Sequence, residues 1–333
     1  MRAMLWTPGA DGTVTCDLCA HACHLREGAH GRCGVRVNVR GELITLVGDV
    51  VSAVQLDPVE KKPLYHFLPG SKTFSVGSAG CNFHCRFCQN YQIAHVRPHS
   101  TISGRRTTPD TLARLAAQQA PSIAFTYNEP TVFFEQVYET AGLAQARGLK
   151  VILVSNGFMS GDFLQTLNRR VQAANIDLKG FTEDFYHKFC GGRLQPVLDN
   201  LKIIRKLGWW LEVTTLVIPG CNDSPAEMRD MARFIRDELG PDTPWHLSAF
   251  HGAAMMAAHP STPPFQLEDT WRMAREEGLH HVYIGNVQTP LGATTFCPSC
   301  GAAVIERRGY RTRPVKTPGA CPACGTAIPG VWQ

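Results

Sequence analysis

Eleven of the thirteen cysteines of this sequence are concentrated in three short groups. The groups are Cys16, Cys19, Cys23 and Cys33; Cys81, Cys85 and Cys88; and Cys297, Cys300, Cys321 and Cys324. An odd number of cysteines excludes a complete set of disulfides within one chain. Thiolates two or three residues apart can hold an ion or an inorganic cluster from a single loop. The sequence therefore predicts a metalloprotein with up to three metal centres.

The central group has the spacing Cys81-x3-Cys85-x2-Cys88 and directly follows a predicted strand. Three thiolates at this spacing can hold three irons of a 4Fe-4S cluster, which leaves the fourth iron without a protein ligand. An iron left open in this way is available for catalysis. The alternative is a structural zinc knuckle in which a histidine such as His84 is the fourth ligand.

The C-terminal group consists of two Cys-x-x-Cys pairs, Cys297/Cys300 and Cys321/Cys324, separated by 20 residues. Four thiolates in this pattern are typical of a zinc ribbon. Zinc would replace the hydrophobic core that a tail of about 45 residues lacks. A rubredoxin-like iron site used for electron transfer is the alternative interpretation.

The N-terminal group, Cys16-x2-Cys19-x3-Cys23-x9-Cys33, also offers four thiolates, with three histidines interleaved. A structural zinc ion and an auxiliary iron–sulfur cluster are both compatible with it, and zinc is the preferred interpretation. The two isolated cysteines, Cys190 and Cys221, are interpreted as ordinary small residues.

The composition is that of a globular protein, because 44% of the 333 residues are hydrophobic and only 18% are charged. The net charge of +5 is spread without a dense basic run, which gives little reason to expect nucleic acid as an obligatory partner. Neither a signal peptide nor an apolar run of about 18 residues is present. We expect a soluble, cytoplasmic protein without a membrane partner.

Between about residues 73 and 285 short apolar runs alternate with amphipathic helical stretches. The strand-like runs are 73–76, 122–126, 150–154, 174–178, 210–217, 245–248 and 281–284. One helical stretch starts near Thr108. The others span about 131–147, 162–171, 196–207, 225–239 and 268–277. This alternation predicts an α/β fold of parallel βαβ units, closed or partly closed into a barrel.

The flanking segments differ from this central region in composition. We therefore predict a Cys-rich N-terminal module over residues 1–70, a barrel over 71–287 and a zinc-ribbon-like module over 288–333. The central cysteine loop should lie at the carboxyl edge of the barrel strands, where active-site loops gather.

The loop Gly80–Asn90 resembles the cluster-binding loop of the radical S-adenosylmethionine (radical SAM) superfamily, whose signature is C-x3-C-x-(aromatic)-C. Phe87 occupies the aromatic position. The resemblance implies a partial (β/α)6 TIM-like barrel, a 4Fe-4S cluster and S-adenosylmethionine (SAM) as cofactors. It also implies a low-potential electron donor of the flavodoxin or ferredoxin type. In that superfamily one electron cleaves SAM to methionine and a 5′-deoxyadenosyl radical.

The resemblance also assigns SAM contacts to later strand ends. The stretch Thr126–Pro130 stands where the superfamily has a Gly-Gly-Glu motif, so Glu129, with Asn128 beside it, is predicted to receive the SAM ammonium. Ser155 and Asn156 end the next strand. Asp177 and Lys179 follow the one after, and in the similar pyruvate formate-lyase activating enzymes such a lysine contacts the SAM carboxylate. His251 resembles a histidine near SAM in the same relatives.

The similarity extends over nearly the whole chain to the AmmeMemoRadiSam-system radical SAM enzymes, which are similar to the pyruvate formate-lyase activating enzyme group. Five stretches carry it: Asp57–Phe67, Gly80–Asn90, Thr126–Pro130, Asn175–Lys179 and the C-terminal cysteine pairs. Where that family has Cys-Pro-His after its second cysteine, this sequence has Cys19-Ala20-His21. The family name implies Memo and AMMECR-type proteins as partners and specifies no substrate.

The leading hypothesis is a radical SAM oxidoreductase that abstracts hydrogen from a protein or small-molecule substrate. Glycyl-radical activation of a partner protein is a specific version of it. An RNA-modifying radical SAM enzyme is one alternative. A non-catalytic metal- or nucleic-acid-binding adaptor is another, because Arg307, Arg308, Arg311 and Arg313 could give the C-terminal ribbon a basic patch.

Overall fold

The computed structural model describes residues 1–289, 291–313 and 317–333. One eight-stranded sheet dominates it. The strands are β7 (Ala53–Pro58), β8 (Lys72–Gly77), β10 (Ser122–Phe125), β11 (Lys150–Ser155), β12 (Ala173–Asp177), β13 (Trp210–Val217), β14 (Trp245–Ala249) and β15 (Val282–Gly285). Among the residues that the structure describes, no helix is long and apolar enough to cross a membrane.

The strands of this sheet lie in the order β15-β14-β13-β12-β11-β10-β8-β7; those from β15 to β8 are parallel to one another, and β7 is antiparallel to β8. β7 and β15 lie at opposite edges of the sheet, so the described strands form an open barrel. Buried positions follow one another along β10 and β11, as in a parallel sheet covered on both faces. The predicted partial barrel is confirmed, with six strand–helix units followed by β15.

Helices connect successive parallel strands and cover the outside of the sheet. They are α1 (Tyr91–Ala94), α2 (Pro109–Ala117), α3 (Phe134–Gln145), α4 (Gly161–Leu167), α5 (Glu183–Phe185), α6 (Gln195–Lys206), α7 (Pro225–Phe234) and α8 (Pro264–Glu276). Hydroxyl caps begin several of them: Thr108, Ser160 and Ser224 each accept a backbone N–H from the first turn. α8 begins four residues before the predicted position because Pro264 suits the first turn of a helix.

The N-terminal segment forms small antiparallel sheets beside the barrel. Its strands are β1 (Trp6–Pro8), β2 (Val14–Cys16), β3 (His24–Leu25), β4 (Arg36–Val39), β5 (Glu42–Thr45) and β6 (Val50–Val51), the last paired with β9 (Arg105–Arg106). The main sheet already includes β7, which lies within the predicted N-terminal module. The domain limits therefore stay predictions.

The C-terminal segment forms two short hairpins with a small apolar cluster of its own. The hairpins are β16 (Thr295–Phe296) with β17 (Ala303–Ile305), and β18 (Arg307–Arg308) with β19 (Arg311–Thr312). Cys297, Cys321 and Ile328 are buried together in this cluster. The second hairpin contacts the barrel, because Arg307 donates a 2.6 Å hydrogen bond to the carbonyl of Tyr65.

Candidate active site

A cavity of about 520 Å³ opens at the carboxyl edge of the parallel strands. Active sites of barrel enzymes gather at this edge because the loops after every strand meet there. Most of the predicted site residues line it: Cys81, Cys85, Phe87, Cys88, Asn128, Glu129, Ser155, Asn156, Asp177 and Lys179. The structure therefore brings together groups that lie almost 100 positions apart in the sequence.

The cysteine loop after β8 is fixed by the loop after β10. Asn128 accepts a hydrogen bond from the backbone N–H of Ser78 (3.0 Å) and donates one to the carbonyl of Gly80 (2.8 Å). Gly80 has φ +86°, and a β-carbon there would come within 2.8 Å of Val35. Only glycine suits this conformation and close approach. Asn128 thus holds the start of the cluster loop in place.

The three thiols of this loop fit a 4Fe-4S cluster better than a zinc ion. All three line the cavity, so a group bound by them would also be open to a ligand there. His84, the fourth ligand in the zinc alternative, is exposed, does not line the cavity and stacks on His95. The donor set facing the cavity is therefore three sulfurs, which matches a cluster with one open iron.

Two neighbours act directly on these sulfurs. The side-chain amide of Asn156 lies 3.7 Å from Cys81 Sγ and 2.7 Å from Asn82 Oδ1. The thiol of Cys190, at the end of a π-helical turn (Tyr186–Cys190), hydrogen-bonds Cys85 and lowers its pKa. Cys190 therefore contacts the cluster loop, which its isolated position in the sequence did not indicate. Cys221 lies elsewhere, 3.9 Å from a ring nitrogen of His259.

Glu129 is buried and joins the ends of two strands. Its Oε1 accepts hydrogen bonds from the Thr131 N–H (3.0 Å), the Thr131 hydroxyl (2.6 Å) and the Ser155 hydroxyl (2.8 Å). Its Oε2 accepts the Asn156 N–H (2.9 Å) and has acceptor capacity left. Burial raises the pKa of Glu129. A cation in the cavity would restore the charged form of this carboxylate.

Asp177, the last residue of β12, forms an ion pair with Lys179, with 2.8 Å between Oδ2 and Nζ. Although burial opposes the charge, the Asp177 carboxylate and the thiols of Cys85 and Cys190 raise the pKa of Lys179 well above its usual value. An ammonium held in a cavity beside the cysteine loop can bind a carboxylate ligand.

His251 is not brought together with these residues. It is exposed, does not line the cavity, and contacts the Asn286 carbonyl through Nε2 (2.9 Å) and the Ser261 hydroxyl through Nδ1 (3.3 Å). β14 ends at Ala249, so His251 lies in the following loop beyond the strand edge. Its predicted place beside SAM has no support in this geometry.

Four further side chains that the sequence did not indicate also line the cavity: Lys62, Tyr65, His246 and Tyr310. His246 contacts the buried carboxylate of Glu212 at 2.6 Å. Although burial opposes ionisation, this hydrogen bond lowers the pKa of Glu212. The stretch Asp57–Phe67, which carries part of the family resemblance, supplies two of these side chains.

Lys62 is itself held by a buried carboxylate. Its ammonium lies 2.6 Å from Asp57 Oδ2, which also accepts the Tyr127 hydroxyl at 2.5 Å. Burial lowers the pKa of Lys62, whereas hydrogen bonds from Lys62 and Tyr127 keep the pKa of Asp57 below its usual range despite burial. Asp57 thereby orients both groups at the cavity wall.

The four C-terminal cysteines converge on one point. Their sulfurs all lie within 4.8 Å of one another, with 3.7 Å between Cys297 and Cys324 and 3.6 Å between Cys300 and Cys321. A tetrahedral ion with metal–sulfur bonds of about 2.3 Å needs this spacing. A four-cysteine metal site is therefore present, and zinc remains the proposed occupant.

Arg307 does not belong to an exposed basic patch. Its side chain is buried and its guanidinium lies 4.3 Å from the centre of the Tyr65 ring. The predicted patch is reduced to Arg308, Arg311 and Arg313, because Arg307 fastens the hairpin to the barrel. This weakens the nucleic-acid-binding alternative.

Comparisons with known proteins find similarity both to the barrel region and to nearly the whole chain. The sequence profile of the radical SAM superfamily matches residues 75–235, which include the cysteine loop and four further parallel strands. MJ0808, an uncharacterized protein of Methanocaldococcus jannaschii, is 40% identical over 332 residues, covering 98% of each chain. The pyruvate formate-lyase-activating enzyme of Clostridium pasteurianum is 20% identical over 176 residues, covering 51% of this chain and 71% of that enzyme.

Solved structures share the fold. A radical SAM methyltransferase from Sphaerobacter thermophilus matches with a TM-score of 0.52 and 17% identity, covering 66% of this chain and 68% of its own. Streptococcus suis SuiB bound to S-adenosylmethionine matches with a TM-score of 0.50 and 12% identity, covering 69% and 53%. At these identities the likeness shows the fold alone.

The open parallel barrel and the three-cysteine loop at its carboxyl edge define an enzyme of the radical SAM class. The chain belongs to the radical SAM superfamily. Membership of this superfamily implies a 4Fe-4S cluster and SAM as cofactors, and an electron donor that reduces the cluster.

Proposed function

We propose that this protein cleaves SAM reductively and uses the resulting 5′-deoxyadenosyl radical to abstract a hydrogen atom from its substrate. One observation carries the proposal: three thiols, a buried carboxylate and a partly buried ammonium line the same cavity at the carboxyl edge of the barrel. A 4Fe-4S cluster bound to Cys81, Cys85 and Cys88 would supply the open iron and the electron for cleavage.

The chain's own residues would bind and orient SAM. Lys179 would pair with its carboxylate, and the free lone pairs of Glu129 Oε2 would accept its ammonium. Phe87, buried beside Phe185, would shield the cluster loop. Asn156 would donate to Cys81 and so stabilise the negative charge on that sulfur. Asn128 would hold the cluster loop through its hydrogen bonds to Ser78 and Gly80, and Ser155 would orient Glu129 through its hydroxyl.

The substrate would occupy the end of the cavity formed by Lys62, Tyr65, His246 and Tyr310. A cation, an imidazole and two phenols favour a polar or anionic group there, on a small molecule or on a protein segment. Glycyl-radical activation of a partner is the specific version that the activating-enzyme likeness supports. Membership of the AmmeMemoRadiSam group, with Memo or AMMECR-type partners, is part of the same proposal.

The proposal is tested by anaerobic reconstitution with iron and sulfide, reduction with dithionite, and chromatographic assay of 5′-deoxyadenosine. We expect turnover in the wild type, loss of at least about 100-fold in C81A/C85A/C88A, and retention in C221A, a cysteine variant outside the cavity. Absence of 5′-deoxyadenosine from wild-type protein with a full catalytic cluster, with and without Memo and AMMECR-type proteins, would overturn it.

Glycyl-radical activation has a separate readout. The reconstituted enzyme, SAM and a candidate partner protein are frozen after reduction, and electron paramagnetic resonance is recorded. A glycine-centred radical that depends on SAM supports this version. SAM turnover coupled to a small-molecule product, with no protein radical, would contradict it while leaving the radical SAM proposal intact.

A further inference from the structure

The three cysteine groups have two different geometries. Only the C-terminal sulfurs lie within 4.8 Å of one another, as one tetrahedral ion requires, and no other His, Cys, Asp or Glu set of three in the described ranges does so. The N-terminal group therefore differs from the C-terminal zinc-type group. It resembles the central group, whose sulfurs are also spread more widely.

The four N-terminal sulfurs nevertheless belong to one site. Cys16, Cys19, Cys23 and Cys33 line a single small cavity beneath the cluster loop. A β-carbon added at Gly31 would lie 3.7 Å from Cys33 Sγ and 3.9 Å from Cys23 Sγ, so the absence of a side chain there leaves room beside these sulfurs. Four thiols around a shared space, too far apart for one ion, suit an inorganic cluster.

A buried donor in the same cavity lacks a partner. Arg36 is 1% exposed and lines the cavity. Its Nη2 donates to both oxygens of Glu135 at 2.7 Å and its Nη1 donates to the Met4 carbonyl at 3.3 Å. The Nε of Arg36 is buried without a hydrogen-bond partner. Buried donors are normally satisfied, and a cluster sulfide or a cysteine sulfur bound to iron would accept this bond.

The N-terminal cavity adjoins the catalytic loop. Asn82 lines it, and Asn82 directly follows Cys81, which lines the active-site cavity. His21, two residues after Cys19, contacts the Asn82 carbonyl through Nε2 at 2.8 Å. Because a carbonyl oxygen can only accept, the His21 ring donates this bond from Nε2. A short path of bonds and one hydrogen bond therefore joins the two cysteine sites.

We propose that Cys16, Cys19, Cys23 and Cys33 hold an iron–sulfur cluster that delivers electrons to the catalytic cluster. A low-potential one-electron reductant of the flavodoxin or ferredoxin class reduces the N-terminal cluster by one electron. That electron moves through His21 and Asn82 to the catalytic cluster, so the first cluster is reoxidised as the second is reduced. The delivery step rests on the proposed SAM chemistry, whereas the presence of the cluster does not. This assignment replaces zinc, the preferred interpretation from the sequence.

The presence of the cluster is tested in full-length C81A/C85A/C88A, which retains every N-terminal ligand. After anaerobic reconstitution we expect this variant to keep about four irons with acid-labile sulfide, or about two for a smaller cluster. Its electron paramagnetic resonance signal after reduction should not change when SAM is added. Adding C16A/C19A should remove the remaining iron. A triple variant that binds no iron and carries about two zinc ions would overturn the proposal.

Electron delivery is tested in H21F, which retains all cysteines. We expect reduction of the catalytic cluster by reduced flavodoxin, followed by the SAM-sensitive resonance signal, to slow at least fivefold, with iron content unchanged. Reduction by titanium(III) citrate, a small reductant that can enter the active-site cavity, should keep its wild-type rate. The C16A/C19A variant lacks the N-terminal cluster. If reduced flavodoxin reduces the catalytic cluster at the wild-type rate both in this variant and in H21F, the delivery role is overturned. If wild-type protein cleaves no SAM with flavodoxin and none with titanium(III) citrate, that result would instead count against the proposed function.

Discussion

The ammonium of Lys179 is the cation that we assign to the SAM carboxylate, and its environment makes a test of that assignment possible. Replacing Lys179 with Met removes the charge but keeps much of the side-chain volume. A hydrogen bond to a charged group contributes about 1.5–3 kcal/mol, so we expect the KM for SAM to rise about 10- to 100-fold. The measurement is SAM-dependent 5′-deoxyadenosine formation, with iron content determined in parallel.

The matched control is Lys188→Met, because Lys188 is an exposed lysine whose ion-pair partner among the described residues is Asp184. It should leave the KM for SAM unchanged. If Lys179→Met also keeps its KM with a full catalytic cluster, Lys179 does not hold the SAM carboxylate.

Whether the sequence could predict a site residue depended on how close the residues that form the site lie in the chain. Cys81, Cys85 and Cys88 come from one loop, so their spacing alone indicated a shared ligand. His246 and Lys62 come from opposite sides of the barrel, and nothing in the order of the chain relates them. The role of His251 stays a prediction, because the sequence does not indicate on which side of a strand end the following loop turns, and His251 contacts the cavity-lining Asn286 without lining the cavity itself.

At the scale of elements, Arg36 and Glu135 join β4 of the N-terminal segment to α3 of the barrel. Their side chains are only 1% and 3% exposed. Arg36→Met would leave the Glu135 carboxylate buried without its partner, which costs about 3–5 kcal/mol. We expect a large fall in the urea midpoint, measured anaerobically by circular dichroism on reconstituted protein.

Two controls define that result. R36M/E135L should recover part of the loss, since it removes the uncompensated charge together with its partner. Arg106→Met should shift stability by less than about 1 kcal/mol, because the Arg106–Asp49 ion pair lies at the surface. An Arg36→Met protein as stable as Arg106→Met would mean that Glu135 is satisfied in another way.

Elements with strong apolar patterns were predictable, and those defined by partners were not. β10 through β15 are rich in buried apolar positions and were located within a few residues. β7 was missed because Gln55, Leu56 and Val54 are exposed and Asp57-Pro58 reads as a turn. Its strand conformation depends on pairing along six residues with β8, which local sequence does not encode.

At the scale of the whole molecule, His66 connects the barrel to the end of the chain. Its Nδ1 contacts the Pro329 carbonyl at 2.7 Å and its Nε2 contacts the Tyr283 hydroxyl at 2.6 Å. Burial lowers the pKa of His66 to about 4, with Arg307 and His246 acting in the same direction and Glu212 opposing. Between its unfolded value of about 6.5 and pH 4, the unfolded chain therefore binds more protons at this site.

Stability at this site is thus fully present above pH 6.5 and is lost as the pH falls toward 4. From pH 7.5 to pH 5 the loss should be about 2 kcal/mol. His66→Gln should reduce the pH dependence of the urea midpoint by that amount, whereas His187→Gln, at an exposed position, should not. An unchanged pH dependence in His66→Gln would mean that His66 titrates normally in the folded protein.

The C-terminal metal site determines whether the tail can contribute to the cavity. Zinc binding to small zinc-finger peptides is worth about 10–16 kcal/mol at pH 7, and this tail has only a small apolar cluster of its own, so C297A/C300A should unfold it. We expect loss of about one zinc per chain and rapid trypsin cleavage at Arg308 and Arg311. Iron and basal SAM cleavage should persist, because the cluster loop and Lys179 belong to the barrel.

The same variant separates SAM cleavage from substrate binding. Arg307 contacts the Tyr65 carbonyl and ring, and Tyr310 of the same hairpin lines the cavity. Detaching the hairpin would open the end that we assign to the substrate while leaving the SAM end intact. Trypsin resistance equal to that of C221A, together with retained zinc, would contradict a metal-dependent tail. Rapid cleavage with unimpaired substrate turnover would instead show that the hairpin is not needed to hold the substrate.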